Sequence, residues 1–457
     1  RLPLLLRRAA MLLEPPTRLT PDEWARKNRV YPPSAGVPGP RDPSLTPYMI
    51  PFARAVAARD HRRVVMAMFA QGGKALALDT PIPTPTGWTT MGALKVGDEL
   101  FAPTGEVCRV TEAFPVRYGR PCYRVRFCDG SSIIADADHK WEVYEQATRE
   151  RWVSRVMTTG EMVEAGTDKG GRSRFAIAVS QPLSMPEANL PIPPYVLGAW
   201  LGDGRTNGAE ICAGNRDVDA MVRNLRASGI NVDPIRAGRA WRLVLRTETV
   251  GRHTGTFRSL LRKAGVLGNK HIPVAYLRAS EGQRRELLRG IMDTDGTVDR
   301  RGRCEVTFKS KVLADGLVEL LCSLGYRPKL AQRTLSSGHV CYRVSFTCGE
   351  PGRVFCLKRK QDRLDAVLGR RRPTVNNRRY IRAIEPVASV PVRCIAVDSP
   401  SRLFLAGERM VPTHNSDTLL DIIGHHFDQR PAPMIYVGPN KQFLTEQWEP
   451  RITELLD

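Results

Sequence analysis

Val411-Pro412-Thr413-His414-Asn415-Ser416 and, far upstream, Gly72-Gly73-Lys74-Ala75 are two places where one sequence pattern stops and another resumes. If 75–415 are taken out, the flanks read Arg63-Val64-Val65-Met66-Ala67-Met68-Phe69-Ala70-Gln71-Gly72-Gly73-Lys74, followed at once by Ser416-Asp417-Thr418-Leu419-Leu420. The joined stretch is an apolar strand, a glycine-rich turn ending in Gly-Lys-Ser and a helix start, the order of a phosphate-binding loop. The chain therefore reads as one protein interrupted at its nucleotide-binding loop by another.

Length and composition set the frame. At 457 residues, 42% of them hydrophobic, the chain is expected to form about two to four domains with real cores. No apolar run approaches the ~20 residues of a membrane span, and Leu4-Leu5-Leu6 is broken by Arg7-Arg8 with no cleavage signal after it. A soluble protein without a membrane partner is expected. The missing initiator Met and the end at Asp457 suggest a fragment. Ten cysteines without CxxC pairing argue against a zinc ribbon or a disulfide framework and for a reducing cytoplasm. The net charge is +22, and 191–372 alone holds 34 Lys and Arg against 17 Asp and Glu. A surplus of that size on one segment points to a polyanion, because cations that neutralise phosphates release counterions.

Four changes of pattern divide the chain. Residues 1–74 carry a proline-rich stretch from Tyr31 to Pro51 and then a helical pattern, Phe52 to Ala58, before the strand at Val64. From 75 to about 190, short alternating strands such as Tyr123-Arg124-Val125-Arg126-Phe127, with turns such as Asp129-Gly130, predict an all-β module. From 191 to 372 the pattern is mixed α/β, with helices near 194–202, 216–228, 254–265, 281–293 and 311–325 and strands such as 241–246 and 340–347. Its two halves of similar order suggest a duplication. Strands return at Arg379 to Ile384 and Val392 to Val397, closing the β module at Asn415; 416–457 resumes the host with a helix at 417–427 and a strand at Met434 to Val437.

Residues 75–415 resemble an intein, whose horseshoe-shaped, all-β Hint splicing domain is split by an endonuclease. Ala75-Leu76-Ala77-Leu78-Asp79-Thr80-Pro81-Ile82 and Leu94 to Phe101 resemble the opening block, Asp129 to Trp141 the second, Val392 to Asp398 the penultimate one and Val411 to Ser416 the last. Asp136 stands where many family members have Thr. Most inteins begin with Cys or Ser, and Ala75 offers no nucleophile. A minority class carries a Trp, Cys and Thr triplet instead, and Trp141, Cys394 and Thr413 fall at those positions. The resemblance implies that Cys394, as thiolate, attacks the Lys74 carbonyl, with His139 polarising the amide or protonating the departing Ala75 nitrogen and Trp141 packing around the nucleophile. The acyl group then passes to the Ser416 hydroxyl, Asn415 cyclises with help from His414, and an oxygen-to-nitrogen shift joins Lys74 to Ser416. A rival account has Ala75 replacing a Cys, which leaves an arrested intein that acts only on DNA.

Val196 to Gly204 and Leu288 to Gly296 resemble the two LAGLIDADG motifs of homing endonucleases. Gly198, Ala199, Gly202 and Gly290 would let two helices approach closely and set Asp203 beside Asp295, a pair suited to divalent metal, with Mg2+ the expected ion. Lys270 in Lys270-His271-Ile272-Pro273 resembles the lysine block between the motifs, and Lys309 or Lys311 is the expected counterpart in the second half. In Trp241 to Arg246, alternation puts Arg242 and Arg246 on one sheet face, where they could meet double-stranded DNA.

The joined flanks resemble a phage terminase large subunit, an α/β P-loop ATPase. That implies Gly73, Lys74 and Ser416 as its ATP and magnesium loop after splicing, a packaging complex as partner, and the cytoplasm of a phage-infected or prophage-carrying bacterium as location. The DNA target would be the terminase gene lacking the insert.

Overall fold

The computed structural model describes residues 19–31, 39–40, 42, 50–58, 75–148, 151–247, 256–334, 338–369 and 378–413. Gly73, Lys74, the strand expected at Val64, and His414, Asn415, Ser416 and the host elements that follow lie outside them. The chain divides into two compact units, Gly73–Asn415 and the flanks Arg1–Gly72 with Ser416–Asp457. In the flanks, Ile50–Ala58 is helical, starting two residues before the expected Phe52. A second helix, Pro21–Asn28, was not anticipated, although Thr20-Pro21-Asp22-Glu23 carries its start signals: Pro at the first position and Glu23 accepting from the Thr20 amide at 2.9 Å. Arg54 of the one helix pairs with Asp22 of the other at 2.7 Å.

The β part of Gly73–Asn415 is built on eight antiparallel strands in the spatial order Trp152–Thr158, Lys140–Gln146, Phe175–Ala178, Arg378–Val387, Cys122–Phe127, Ser132–Asp136, Leu76–Ala77 and Val392–Arg393. Alternation puts Trp141 and Val143, Val125 and Phe127, and Ile133 and Ala135 inward, where they form one core with Leu76, Ile82, Phe175, Ile381 and Val411. Strands from both ends of the segment interleave in that sheet. Ala178 pairs directly with Arg378, so everything between them is a loop joining two adjacent strands. Such a loop can be long because closing its ends is already accomplished by the sheet. A buried ion pair fixes the returning strand: Arg379 donates to Asp129 at 2.7 Å, with side-chain exposures of 1% and 2%. Burial would raise the Asp129 carboxyl, but Arg379 and the Ser131 amide and hydroxyl together outweigh it and hold the group below its ordinary value.

Within that loop lies a second core, organised by two helices, Pro194–Asp203 and Glu281–Thr294. The first is followed by a sheet ordered Glu210–Gly214, Ala240–Arg246, Asn231–Ala237; the second by Thr297–Val298, Arg303–Phe308, Val340–Thr347, Lys329–Thr334. Apart from the two-residue strand, the spatial orders correspond, which gives two structural repeats. The two helices touch through glycine. A Cβ on Gly198 would stand 2.1 Å from the Leu287 carbonyl oxygen, one on Gly290 2.1 Å from that of Tyr195, and one on Gly202 2.1 Å from the Thr294 hydroxyl. Overpacking a core costs roughly 1–3 kcal/mol. Gly290→Ala is therefore expected to lower the urea unfolding midpoint, whereas Gly282→Ala in the same helix, whose Cβ would find nothing nearer than 4.0 Å, leaves it unchanged or higher. Equal midpoints for Gly290→Ala and wild type would rule out so close an approach.

Candidate functional site

Ala75 immediately precedes the strand Leu76–Ala77, which has a neighbour on each side. Toward Ser132–Asp136, Leu76 pairs with Ala135, and one step further the Asp136 amide donates to the Ala75 carbonyl at 3.0 Å. The Ala75 amide in turn donates to Asp136 Oδ1 at 3.3 Å. Toward Val392–Arg393, Ala77 pairs with Val392 and Leu76 with Arg393; the same register carried one residue on sets Cys394 opposite Ala75. Cys394 is 6% exposed and lies where the chain leaves that strand for the next one, Ile395–Val397. The Ala75 methyl packs with Val392 and with a second thiol, Cys122. Sequence reasoning missed Cys122, because its proximity arises only from strand pairing.

The remaining splicing candidates form a buried cluster. His139 Nε2 and the Thr413 hydroxyl are 2.5 Å apart, and Thr413, fully buried, closes the strand Val411–Thr413 immediately before the last three motif residues. Trp141 stands edge-on to the His139 ring, with centroids 4.7 Å apart, and its indole donates to the Thr159 hydroxyl at 3.0 Å. It thus fixes the ring of His139, and Thr159, which also donates to the His139 carbonyl at 3.2 Å, fixes Trp141. Burial pushes the Asp136 carboxyl above its ordinary value, against the pull of the Ala75 amide and Arg120.

The second site is where the two motif helices end. Asp203 and Asp295 stand close enough to influence each other, and both carboxyls are raised by burial; Asp295 is pushed up to about 6, with the Asp203 charge as the second cause. Carboxyls in that relation share a proton, since two charges so close do not both persist without a counterion. Lys270 Nζ donates to the carbonyls of Leu201 and Gly202 at 3.0 and 2.9 Å. Lys360 Nζ does the same at the second helix, reaching Met292, Asp293, Thr294 and Gly296 at 2.8, 2.7, 3.1 and 2.7 Å. Each ammonium caps carbonyls at a helix C-terminus, and burial lowers both to about 8. Lys360, not Lys309 or Lys311, is thus the counterpart of Lys270: Lys309 is exposed, and Lys311 pairs with Asp315 one turn on at 2.6 Å. The signal was present, because Lys360 follows Asp295 at nearly the interval by which Lys270 follows Asp203.

Among the described residues no group of three or more His, Cys, Asp or Glu is gathered to hold a metal ion. The two carboxylates alone supply hard oxygen donors, and a cation would take the place of the shared proton; water and phosphate oxygens would complete the coordination of an ion such as Mg2+. Arg242 and Arg246 do lie on one face of Ala240–Arg246, opposite the inward Leu243 and Leu245. Their charge is partly met by neighbours: Arg246 pairs with Asp233 at 2.5 Å, and Arg242 lies 3.9 Å from Glu210.

Comparison with known proteins supports one part of this directly. Residues 282–359 match the model of a LAGLIDADG-like domain, a range that contains the second motif and ends one residue before Lys360. The chain is similar to the replicative DNA helicase DnaB of Mycobacterium intracellulare, 38% identical over 387 residues, covering 79% of this chain and 62% of that protein. It is also similar to DnaB of Mycobacterium leprae (strain TN), 55% identical over 78 residues, 17% of this chain and 13% of that one. It thus spans less than two thirds of either relative. Among solved structures, the Msm DnaB1 intein splicing domain bound with zinc is 20% identical, covers 75% of this chain and 100% of its own, and has a TM-score of 0.24. The endonuclease I-DmoI in complex with DNA and Ca is 11% identical, covers 38% and 97%, and has a TM-score of 0.26. Superpositions at that level carry no argument about individual residues.

Proposed function

We propose that 75–415 excise themselves and join Lys74 to Ser416, and that 191–372 form a site-specific DNA endonuclease. The observation that carries the first part is the register around Ala75: the residue after the upstream junction has an acid hydrogen-bonded on one side and a cysteine opposite it on the other. An amide gripped by an acid, with a cysteine one register step beyond the neighbouring strand, suits acyl transfer to sulfur. Thr413 ties His139 to the strand that leads into His414 and Asn415, so one histidine serves a site assembled from both ends of the segment. Endonuclease activity rests on the paired carboxyls, the two capping lysines and the matched domain. A divalent ion, when bound, would activate water and stabilise the leaving oxygen; the chain's own part is to hold the acids together and set the lysines behind them.

For the host, the Gly73-Lys74-Ser416 junction favours a terminase-type P-loop ATPase that is silent until splicing joins the loop. The relatives' name favours a second reading, a replicative helicase. A match over 79% of this chain cannot be confined to the flanks, so that name need not describe them. Forked-duplex unwinding by the complete spliced host would decide for the helicase, and association with a phage portal for the terminase.

The order of splicing steps is tested with Asn415→Ala. It is expected to accumulate a branched species in which the first 74 residues hang from Ser416 by an ester that alkali cleaves. Mass spectrometry that finds only linear precursor, before and after alkali, would refute that order.

A further inference from the structure

We propose that Asp136 delivers the proton to the Ala75 nitrogen as the Lys74–Ala75 bond breaks, a role that rests on the splicing reading above and that a Thr at this position does not perform. Ala75 N is the atom that departs when a nucleophile takes the Lys74 carbonyl. Its hydrogen-bond partner is Asp136 Oδ1 at 3.3 Å, and the Asp136 amide holds the Ala75 carbonyl from the same side at 3.0 Å. One residue therefore grips both polar atoms of Ala75.

An amine does not leave a tetrahedral centre as its anion; a proton must reach the nitrogen first, and a positioned acid supplies it. Bulk water is poorly placed to do so here, with Ala75 1% and Asp136 0% exposed. Around the Asp136 carboxyl stand Arg120, whose Nε is 3.5 Å from Oδ2, Asp138 nearby, and the Ala75 amide. Burial outweighs the two favourable contacts and keeps the acid form available. His139, the other candidate donor, has its Nε2 at the Thr413 hydroxyl beside the downstream junction. A Thr hydroxyl in place of Asp136 can orient the amide, but it holds its proton too tightly to give it up.

The step balances without any further reagent. Cys394 enters as thiolate, its proton already in solvent, and the sulfur–carbon bond to Lys74 forms. The carbon–nitrogen bond then breaks with its electron pair going to nitrogen, which takes the Asp136 proton. The products are the Lys74–Cys394 thioester, a free Ala75 amine and the Asp136 carboxylate, and a second proton from water turns the last two into an ion pair.

The test uses the full chain carrying Asn415→Ala, with hydroxylamine to release the first 74 residues from the thioester and mass spectrometry to follow the rate. Asp136→Asn keeps the shape and loses the acid; Asp136→Thr supplies a hydroxyl. Both are expected to slow release by ~100-fold or more, as the loss of a general acid does, with unfolding midpoints close to the parent, while Asp136→Glu retains part of the rate. Release within threefold of the parent in either folded variant overturns the proposal. Cys394→Ala run alongside separates the two ideas: if it too releases the segment at the parent rate, the splicing reading itself has failed, whereas its inactivity beside an active Asp136→Asn removes only the acid.

Discussion

Cys394→Ala is expected to bring cleavage after Lys74 below detection, while Ala75→Gly changes it by roughly threefold at most, since backbone strain alone is at stake there. The contrast follows from chemistry and position together. A first residue that attacked its own carbonyl would need a side-chain nucleophile, and Ala75 has only a methyl, packed on Cys122 and Val392. Cys394 follows the strand Val392–Arg393, whose register with Leu76–Ala77, carried one residue on, sets it opposite Ala75. Removing a nucleophile that initiates a sequence stops every later step, which is why the effect is the largest available. Cys122 supplies the internal control: it is buried beside Ala75, its thiol donating to the Arg120 carbonyl at 3.3 Å, and Cys122→Ser should cleave normally. Activity in Cys394→Ala that disappears in Cys122→Ser would transfer the nucleophile to Cys122. Activity lost in Ala75→Gly and kept in Cys394→Ala would refute initiation from either thiol.

Local signals made some of this architecture readable in advance, and distance hid the rest. The helices at 194–202 and 281–293 announced themselves because the requirement for close contact is written into adjacent small residues, and they appear as Pro194–Asp203 and Glu281–Thr294. The strand expected at 340–347 appears with those bounds, with Val344 and Phe346 buried on one face. Lys360 was obscured by its surroundings. In Leu357-Lys358-Arg359-Lys360 nothing local separates the one lysine that turns under a helix end from the neighbours that pair with Asp362 and Asp217. Asp136 was visible as a departure from the family pattern, but its grip on Ala75 depends on strand pairing across 61 positions. Likewise, the pairing of Ala178 with Arg378, which makes the whole insert a loop between neighbouring strands, is a property of the sheet and of no local window.

Asp203→Asn and Asp295→Asn are each expected to lower DNA cutting in magnesium by ~100-fold or more, the scale of losing one preorganised charge at a reacting centre, and to leave splicing at the parent rate. Independence is expected because Asp203 and Asp295 stand at the ends of the two motif helices whereas His139, Trp141, Cys394 and Thr413 lie on or beside strands of the β part, and separate sites combine additively. The carboxyl pair also fixes a pH dependence. With the Asp295 carboxyl raised to about 6, the pair keeps its shared proton below that pH and gives it up above, so cation affinity and cutting should rise as pH passes upward through about 6. Lys360→Met should weaken cutting as Lys270→Met does, because each lysine holds the helix end that carries one acid, whereas Lys311→Met should not. The decisive substrates are two duplexes, one carrying the uninterrupted codons that join Lys74 to Ser416 and one in which the insert splits them. Cutting of the first alone is expected, since a nuclease that spread this segment must spare the gene already carrying it. Full cutting by both Asn variants would remove the acids from the mechanism, and equal cutting of both duplexes by the parent protein would refute recognition of the junction.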